Sequence, residues 1–275
     1  MTSAPVVEPV RASAPVMTRR RLPWQQVGLA IALPLVLIAI WQVCCWVFQP
    51  REWILPSPAT VARAGWDVRD RLWYHAQWTL LVTIVGFALA VAVGSLLAAV
   101  IARSRIAGLM LYPWIIVSQT IPLVALAPLL VLWMPEFGAM ITLAALISIF
   151  PVIVAGVDGL RGTDPELLRA VRSLGASPGW VWRHVRIPAA LPRWFTGVRL
   201  AAVFSVTGAV VGELVASDRG LGALTRLSAG QFETPVTFAA VVILALIGIA
   251  MFLLVALVEW AALPYVRRAT RPGTR

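Results

Sequence analysis

Apolar residues run along the chain in long blocks, interrupted by charges and histidines at intervals that a bilayer would set. A hydrocarbon core of about 30 Å takes roughly 20 helical residues. Between Arg21 and Arg51 lie 29 uncharged residues, between His75 and Arg103 lie 27, between Arg105 and Glu136 lie 30, and between Glu233 and Glu259 lie 25. Each interval predicts one helix. Phe137 to Val157 supplies a fifth, of 21 residues, in which Pro151 is tolerable because neighbouring helices re-satisfy the backbone groups that a proline frees. The sixth is short, since only 13 uncharged residues separate Arg199 from Glu213. A span over about 195–216 must then hold Arg199 near one interface, reaching outward along its apolar stem, and Glu213 near the other.

Composition agrees with that pattern. Of 275 residues, 60% are apolar and 13% charged, and the mean hydropathy is +0.86, far from the soluble mix of about half apolar and a quarter charged. All 23 basic residues are arginine; the chain has no lysine. An ordinary Walker A site needs a lysine to reach the β and γ phosphates, so any ATP used here is hydrolysed by a partner. His75, His184, Cys44 and Cys45 are too few and too separated for a zinc site of the usual ligands, and no cofactor is expected. Cys44 and Cys45 read as packing residues.

Six spans place both termini on one side. With the termini inside, 17 of the 23 arginines are cytoplasmic, and the six outside are Arg51, Arg63, Arg69, Arg71, Arg219 and Arg226. The positive-inside rule therefore selects N-in, C-in; the arginine excess serves topology and points to no nucleic acid. Residues 1–23 read as a disordered cytoplasmic tail, 24–265 as the six-span domain, and 266–275 as a basic cytoplasmic tail. The first apolar run is too long for a signal-peptide core and lacks a small-residue cleavage site, so it is expected to be retained. Ser57-Pro58 predicts the start of a short surface helix, and Trp24, Trp46, Trp53, Trp73, Trp78 and Trp260 cluster toward span ends as interfacial anchors do.

The longest inside connection, 158–192, has two helix starts written into it. Asp164-Pro165 is an N-cap followed by proline at the first helical position, with Glu166 in the first turn; that helix should end at Gly175. Leu167, Val171 and Leu174 fall on one stripe. Ser177-Pro178 opens a second, basic helix carrying Arg183, His184 and Arg186 and running to Ile187-Pro188. An exposed amphipathic helix here suits either the membrane interface or a groove on a soluble partner.

Arg169-Ala170-Val171, then Gly175, then Val185-Arg186-Ile187-Pro188 resembles the EAA loop of ABC import permeases, a Glu-Ala-Ala triplet followed by a glycine and a terminal apolar-x-apolar-Pro. The family's leading glutamate falls on Arg169, and Glu166 stands one turn earlier. Leu55-Pro56-Ser57-Pro58, Ser118-Gln119-Thr120-Ile121-Pro122, Gly197-Val198-Arg199-Leu200-Ala201 and Gly220-Leu221-Gly222 look like the corresponding strings of nitrate/sulfonate/taurine-type permeases. The resemblance implies an all-α, polytopic type I ABC importer permease of six transmembrane helices in the inner membrane. It implies two permease copies, two cytoplasmic ATPases and an extracytoplasmic solute-binding protein, with the 165–174 helix as the coupling helix. The solute would be a small organic molecule or anion. The 118–133 stretch and Gly208-Ala209-Val210-Val211-Gly212-Glu213 look most similar to permeases for pyrimidine precursors of thiamine; sulfonates, taurine and nitrate stay open.

Polar groups inside spans either face protein or line a passage. Glu213 reads as a gate or solute contact, or as a hydrated group paired with Arg219 or Arg226. Ser118, Gln119 and Thr120 precede Pro122, where freed carbonyls suit a cavity; Gln119 reads equally as an interhelical hydrogen bond. Ser205 and Thr207 face the same cavity or bond back to their own helix. Among other classes, a stand-alone secondary transporter or channel also needs such spans, but not a two-helix loop. An intramembrane enzyme wants a convergent acid/base or metal set that the sequence does not offer.

Overall fold

The computed structural model describes residues 24–264, and the expectations for the two tails lie outside the described residues. All regular structure among those residues is helical. An apolar helix α1 (Trp24–Phe48) leads to a surface helix α2 (Pro58–Asp67), which starts as read: Ser57 Oγ accepts from the Thr60 amide at 3.1 Å and Pro58 takes the first turn. The long helix α3 (Arg69–Arg103) follows, then α4 (Arg105–Ser118), α5 (Leu123–Trp133) and α6 (Glu136–Arg161). Beyond them come the short α7 (Pro165–Ser173) and α8 (Pro178–Val181), a π-helical turn over Trp182–Arg186, then α9 (Ile187–Ala216), α10 (Leu221–Gly230) and α11 (Thr234–Ala262). Among the described residues four uninterrupted helical runs are long and apolar enough to cross a membrane, or five if α4 and α5 are one bent span.

The core is a slab of α3, α6 and α9, with α6 in the middle. Its inner face is built from small residues. A Cβ added at Gly86 on α3 would stand 2.5 Å from Ala144 Cβ on α6, one at Gly208 on α9 would stand 2.6 Å from Ala144 Cα, and one at Gly156 on α6 would stand 2.7 Å from Ala98 Cβ on α3. Lipid tails are as apolar as leucine, so helices in a bilayer gain nothing from hiding leucine and associate through close packing instead. Around the seam, Val82, Met140, Ala144 and Ala209 form one buried cluster, and Ala98, Ile101, Ile153 and Val157 another. Met251 and Val255 of α11 pack on Phe195, Val198 and Val206 of α9. Most described large apolar side chains of α1 and α11 are exposed. α1 is joined to the rest mainly through Trp41 on Phe238 of α11, ring centroids 5.6 Å apart, and through half-buried Cys45, whose Sγ lies 3.8 Å from Pro56 O.

Three sequence expectations change. The third apolar interval, read as one span, is two helices bent by 99°, because Pro122 supplies no amide and the chain tightens first, with Gln119 N to Ile116 O at 3.1 Å and Thr120 N to Val117 O at 2.9 Å. The basic helix expected to stop at Ile187-Pro188 does not stop. It runs on into α9 as one helical run over Pro178–Val215; the wider π turn, closed by Ile187 N on Trp182 O, gives the Pro188 ring room that an α turn would deny it. Arg199 does not reach outward. Its Nε lies 3.3 Å from Glu259 Oε2 on α11, both side chains less than a third exposed, and its guanidinium covers Phe252. The sequence reading also missed α10, which packs on α11, α9 and α3. Of the tryptophans read as anchors, Trp46, Trp53, Trp73 and Trp260 are exposed, whereas Trp78 packs on Phe137.

If the seam sets the fold, Gly208→Val must wedge α9 off α6, an overpacking cost of about 1–3 kcal/mol or more. Gly248→Ala on α11, where a Cβ meets nothing within 4 Å, is the control. Thermal unfolding in mild detergent should show a clear loss for the first variant and none for the second; equal stability would remove the seam from the argument.

Candidate functional site

Between α6 and α9 the chain leaves the slab as a projecting loop. Asp164 Oδ1 accepts from the Glu166 amide at 2.8 Å, capping α7, and no side chain of α7 is buried. Leu167 and the C-cap Leu174 are exposed, Leu174 at 86%. Arg169 and Glu166 approach at 4.0 Å with both side chains more than three-quarters exposed, so solvent leaves that pair worth little. Gly175 has φ +84°. The Ala176 amide reaches back to Val171 O at 3.4 Å and the Gly175 amide to Arg172 O at 3.0 Å, the paired bonds of a Schellman turn with glycine at its left-handed position. Nothing lies within 4 Å of a Cβ there, so the demand for glycine is conformational, not steric. Ser177 caps α8 through the Trp180 amide at 3.3 Å. Ala170 is exposed and Val171 half-buried, while Ile187 and Pro188 lie where the loop rejoins α9.

Ser118, Gln119 and Thr120 sit at the bend between α4 and α5, all exposed. Ser118 and Thr120 hydroxyls donate to Ile115 O and Val117 O, each at 2.7 Å, occupying carbonyls of the broken turn. Gln119 reaches only its neighbour Ser118, at 3.5 Å; no hydrogen bond from it to another helix occurs among the described residues. Ser205 is buried and donates to Ala202 O at 2.8 Å on its own helix. Thr207 is exposed beside a cavity of about 550 Å³ between α9 and α11, otherwise lined by apolar residues such as Val203, Val210 and Leu244. Ser205 and Thr207 therefore lie on different sides of α9, one buried and the other exposed.

Glu213 is not the hydrated, arginine-paired group of the second reading. It is fully buried and pairs with neither Arg219 nor Arg226: Arg219 covers the Trp78 ring at 5.4 Å, and Arg226 donates to Ser217 O at 2.9 Å. Its Oε2 accepts from the Gly222 amide at 2.8 Å and from Thr79 Oγ1 of α3 at 3.0 Å. Thr79 Oγ1 also accepts from the Leu221 amide at 2.8 Å. One turn earlier on α3, His75 Nδ1 is 3.0 Å from Gly220 O; a carbonyl only accepts, so Nδ1 carries the proton. The first amides of α10 are thus capped from α9 and α3, because the local cap position is Gly220, with no side chain to offer. Gly220 has φ +98°, and a Cβ there would strike the Glu213 carboxylate. A carboxylate at a helix N-terminus is favoured by orphan amides and dipole together.

Sequence reasoning missed Thr79 and His75 as partners of Glu213. Their spacing of four on α3 was a usable signal, since it puts both on one face. If Glu213 caps α10, Glu213→Leu leaves the Gly222 amide unpaired in the interior, costing about 1–3 kcal/mol, and speeds hydrogen exchange at Leu221 and Gly222. Glu213→Gln retains one acceptor oxygen and should keep most of that protection. Unchanged exchange in Glu213→Leu would show that the carboxylate holds nothing.

Residues 90–262 match the family described as binding-protein-dependent transport system inner membrane component. The chain is 38% identical to the riboflavin transport system permease protein RibX of Chloroflexus aurantiacus, over 90% of this chain and 94% of that protein. It is 32% identical to the formylaminopyrimidine transport permease protein ThiX of Halalkalibacterium halodurans, over 85% and 94%, and 30% identical to the taurine transport system permease protein TauC of Escherichia coli, over 83% and 88%. Permeases of this kind work with ATP-hydrolysing and solute-binding partners and carry out no catalysis themselves. A bent helix pair, a helix that buries nothing of itself and a chain with no lysine all fit that division of labour, and the chain belongs to this family as the multi-pass inner-membrane permease subunit of an ABC importer.

Proposed function

We propose that two copies of this chain form the passage of a type I importer, each with six spans in the N-in, C-in orientation, α1 being the first of them. The arginine distribution supports that orientation, and the 158–192 connection then faces the cytoplasmic ATPases. The observation that carries the reading is α7: an apolar stripe on a helix with no buried side chain needs a partner's groove. Leu167, Val171 and Leu174 form its docking stripe, flanked by Glu166, Arg169 and Ala170, with Gly175 its hinge and Ile187 and Pro188 the junction to α9. Ser118, Gln119, Thr120 and Pro122 at the bend, with Thr207 beside the α9–α11 cavity, line the pathway. Ser205 braces its own helix, and Glu213 shapes the outer end of the passage by holding α10 without touching solute.

The relatives support one solute class over another. Riboflavin and formylaminopyrimidine, named for two of them, are both nitrogen heterocycles, which favours a vitamin or vitamin precursor of that kind over taurine or a sulfonate. Reconstituting the chain with its ATPase and binding protein in liposomes and comparing ATP-dependent uptake of riboflavin, formylaminopyrimidine and taurine tests it; uptake of taurine alone would reverse the choice.

Coupling has its own test. Gly175→Val puts a β-branched residue at positive φ, costing roughly 1–2 kcal/mol or more in the loop, and should abolish uptake while solute binding by the extracytoplasmic protein is unchanged. Undiminished uptake would refute the hinge. Gln119→Leu should assemble with the ATPase normally yet lower uptake, and normal uptake would remove Gln119 from the pathway.

A further inference from the structure

At the end of α6, Arg161 turns back toward the end of α3, and its Nη2 donates to Ile101 O at 2.8 Å. The guanidinium lies over Gly108 of α4, where a Cβ would collide with it; the helix has a glycine at the point where this cation needs room. Arg103 and Arg105 flank the same opening, Arg103 lying over the Trp182 ring at 5.7 Å. With Leu109 and Tyr112 they line a cavity of about 550 Å³. Among the described residues, none of the three guanidinium groups has a carboxylate within 4.0 Å. Asp158, one turn before Arg161, meets a cation only through its backbone oxygen, which accepts from Arg193 at 3.3 Å.

Converging cations without a counter-charge repel one another unless an anion joins them. The first turn of α4, capped by Ser104, adds the positive end of a 14-residue helix to the same place. Directly along α4, Ile106, Leu109 and Met110 are each more than 60% exposed, so the cations sit where an apolar flank begins. A free phosphate or a soluble acidic partner has no use for such a flank; a molecule with an anionic head and acyl tails does.

We propose that this cavity binds the phosphate of an anionic phospholipid headgroup, with Arg105 and Arg161 on the phosphate and the acyl chains against α4. The site also touches the coupling loop. Trp182, stacked under Arg103, lies in the π turn that joins that loop to α9, so an occupied site steadies the base of the loop.

The test uses the full-length chain purified with its ATPase. Native mass spectrometry counts phosphatidylglycerol retained after exchange into nanodiscs of phosphatidylcholine alone or mixed with phosphatidylglycerol. Wild type should retain phosphatidylglycerol selectively, Arg105→Gln and Arg161→Gln should each weaken retention about fivefold, and millimolar inorganic phosphate should not displace it. Arg105 has no ion pair among the described residues, so its variant should still co-purify with the ATPase in full yield, which separates lost binding from lost folding. Equal retention in wild type and the double Arg105→Gln, Arg161→Gln variant overturns the site. Displacement by inorganic phosphate overturns the lipid assignment in favour of a free anion. Binding seen only when the ATPase is stripped away assigns the cavity to an acidic group of that partner, and also overturns it.

Discussion

Everything in this fold hangs on the distance between three backbones. α3, α6 and α9 approach so closely that Ala144 is pressed by Gly86 from one side and Gly208 from the other. In water such an arrangement would forgo the burial of large side chains; in hydrocarbon there is no such burial to forgo, and intimate contact of small residues is what remains to hold helices together. The slab then frees the other elements for work. The bent pair α4–α5 is folded against it, α7 and α8 project from one end, and α10 closes the other.

A half-buried ion pair and a buried carboxylate set the register of that slab. Arg199 on α9 meets Glu259 on α11 toward one end of the helix, and Glu213 meets α3 and α10 at the other. Each takes its partners from other helices, so each tolerates only a narrow range of helix positions. A one-residue slip of α9 would rotate both groups by about 100° and take them away from those partners.

Length and punctuation were legible in the sequence; direction was not. Among the described residues uncharged intervals coincide with four helices long and apolar enough to span, and Ser57, Asp164, Ser177 and Gly175 marked helix ends correctly, because caps are local chemistry acting on the next few amides. The bend at 119–122 was hidden because an apolar count is blind to the angle between two halves. Pro188 was misleading in the opposite sense: a proline ends a helix only if the preceding turn cannot widen, and here it does. Glu213 was the hardest case. A carboxylate near a span end looks solvated until Thr79, 134 residues earlier, and the Gly222 amide are seen to reach it, and no local pattern encodes a cap supplied from another helix.

The run Pro178–Val215 is 38 residues without a break, a rod of about 57 Å at 1.5 Å per residue. One tip carries the junction with the projecting loop, and the other carries the carboxylate that holds α10. Such a rod is a lever. Pivoted about its middle, where the seam with α6 is tightest, a tilt of about 5° moves each tip by about 2.5 Å, nearly the length of the hydrogen bonds at Glu213. A tilt at one tip of a stiff rod therefore reaches the other undiminished, and the π turn at its base and Pro192 are where its hydrogen-bond ladder is loosened.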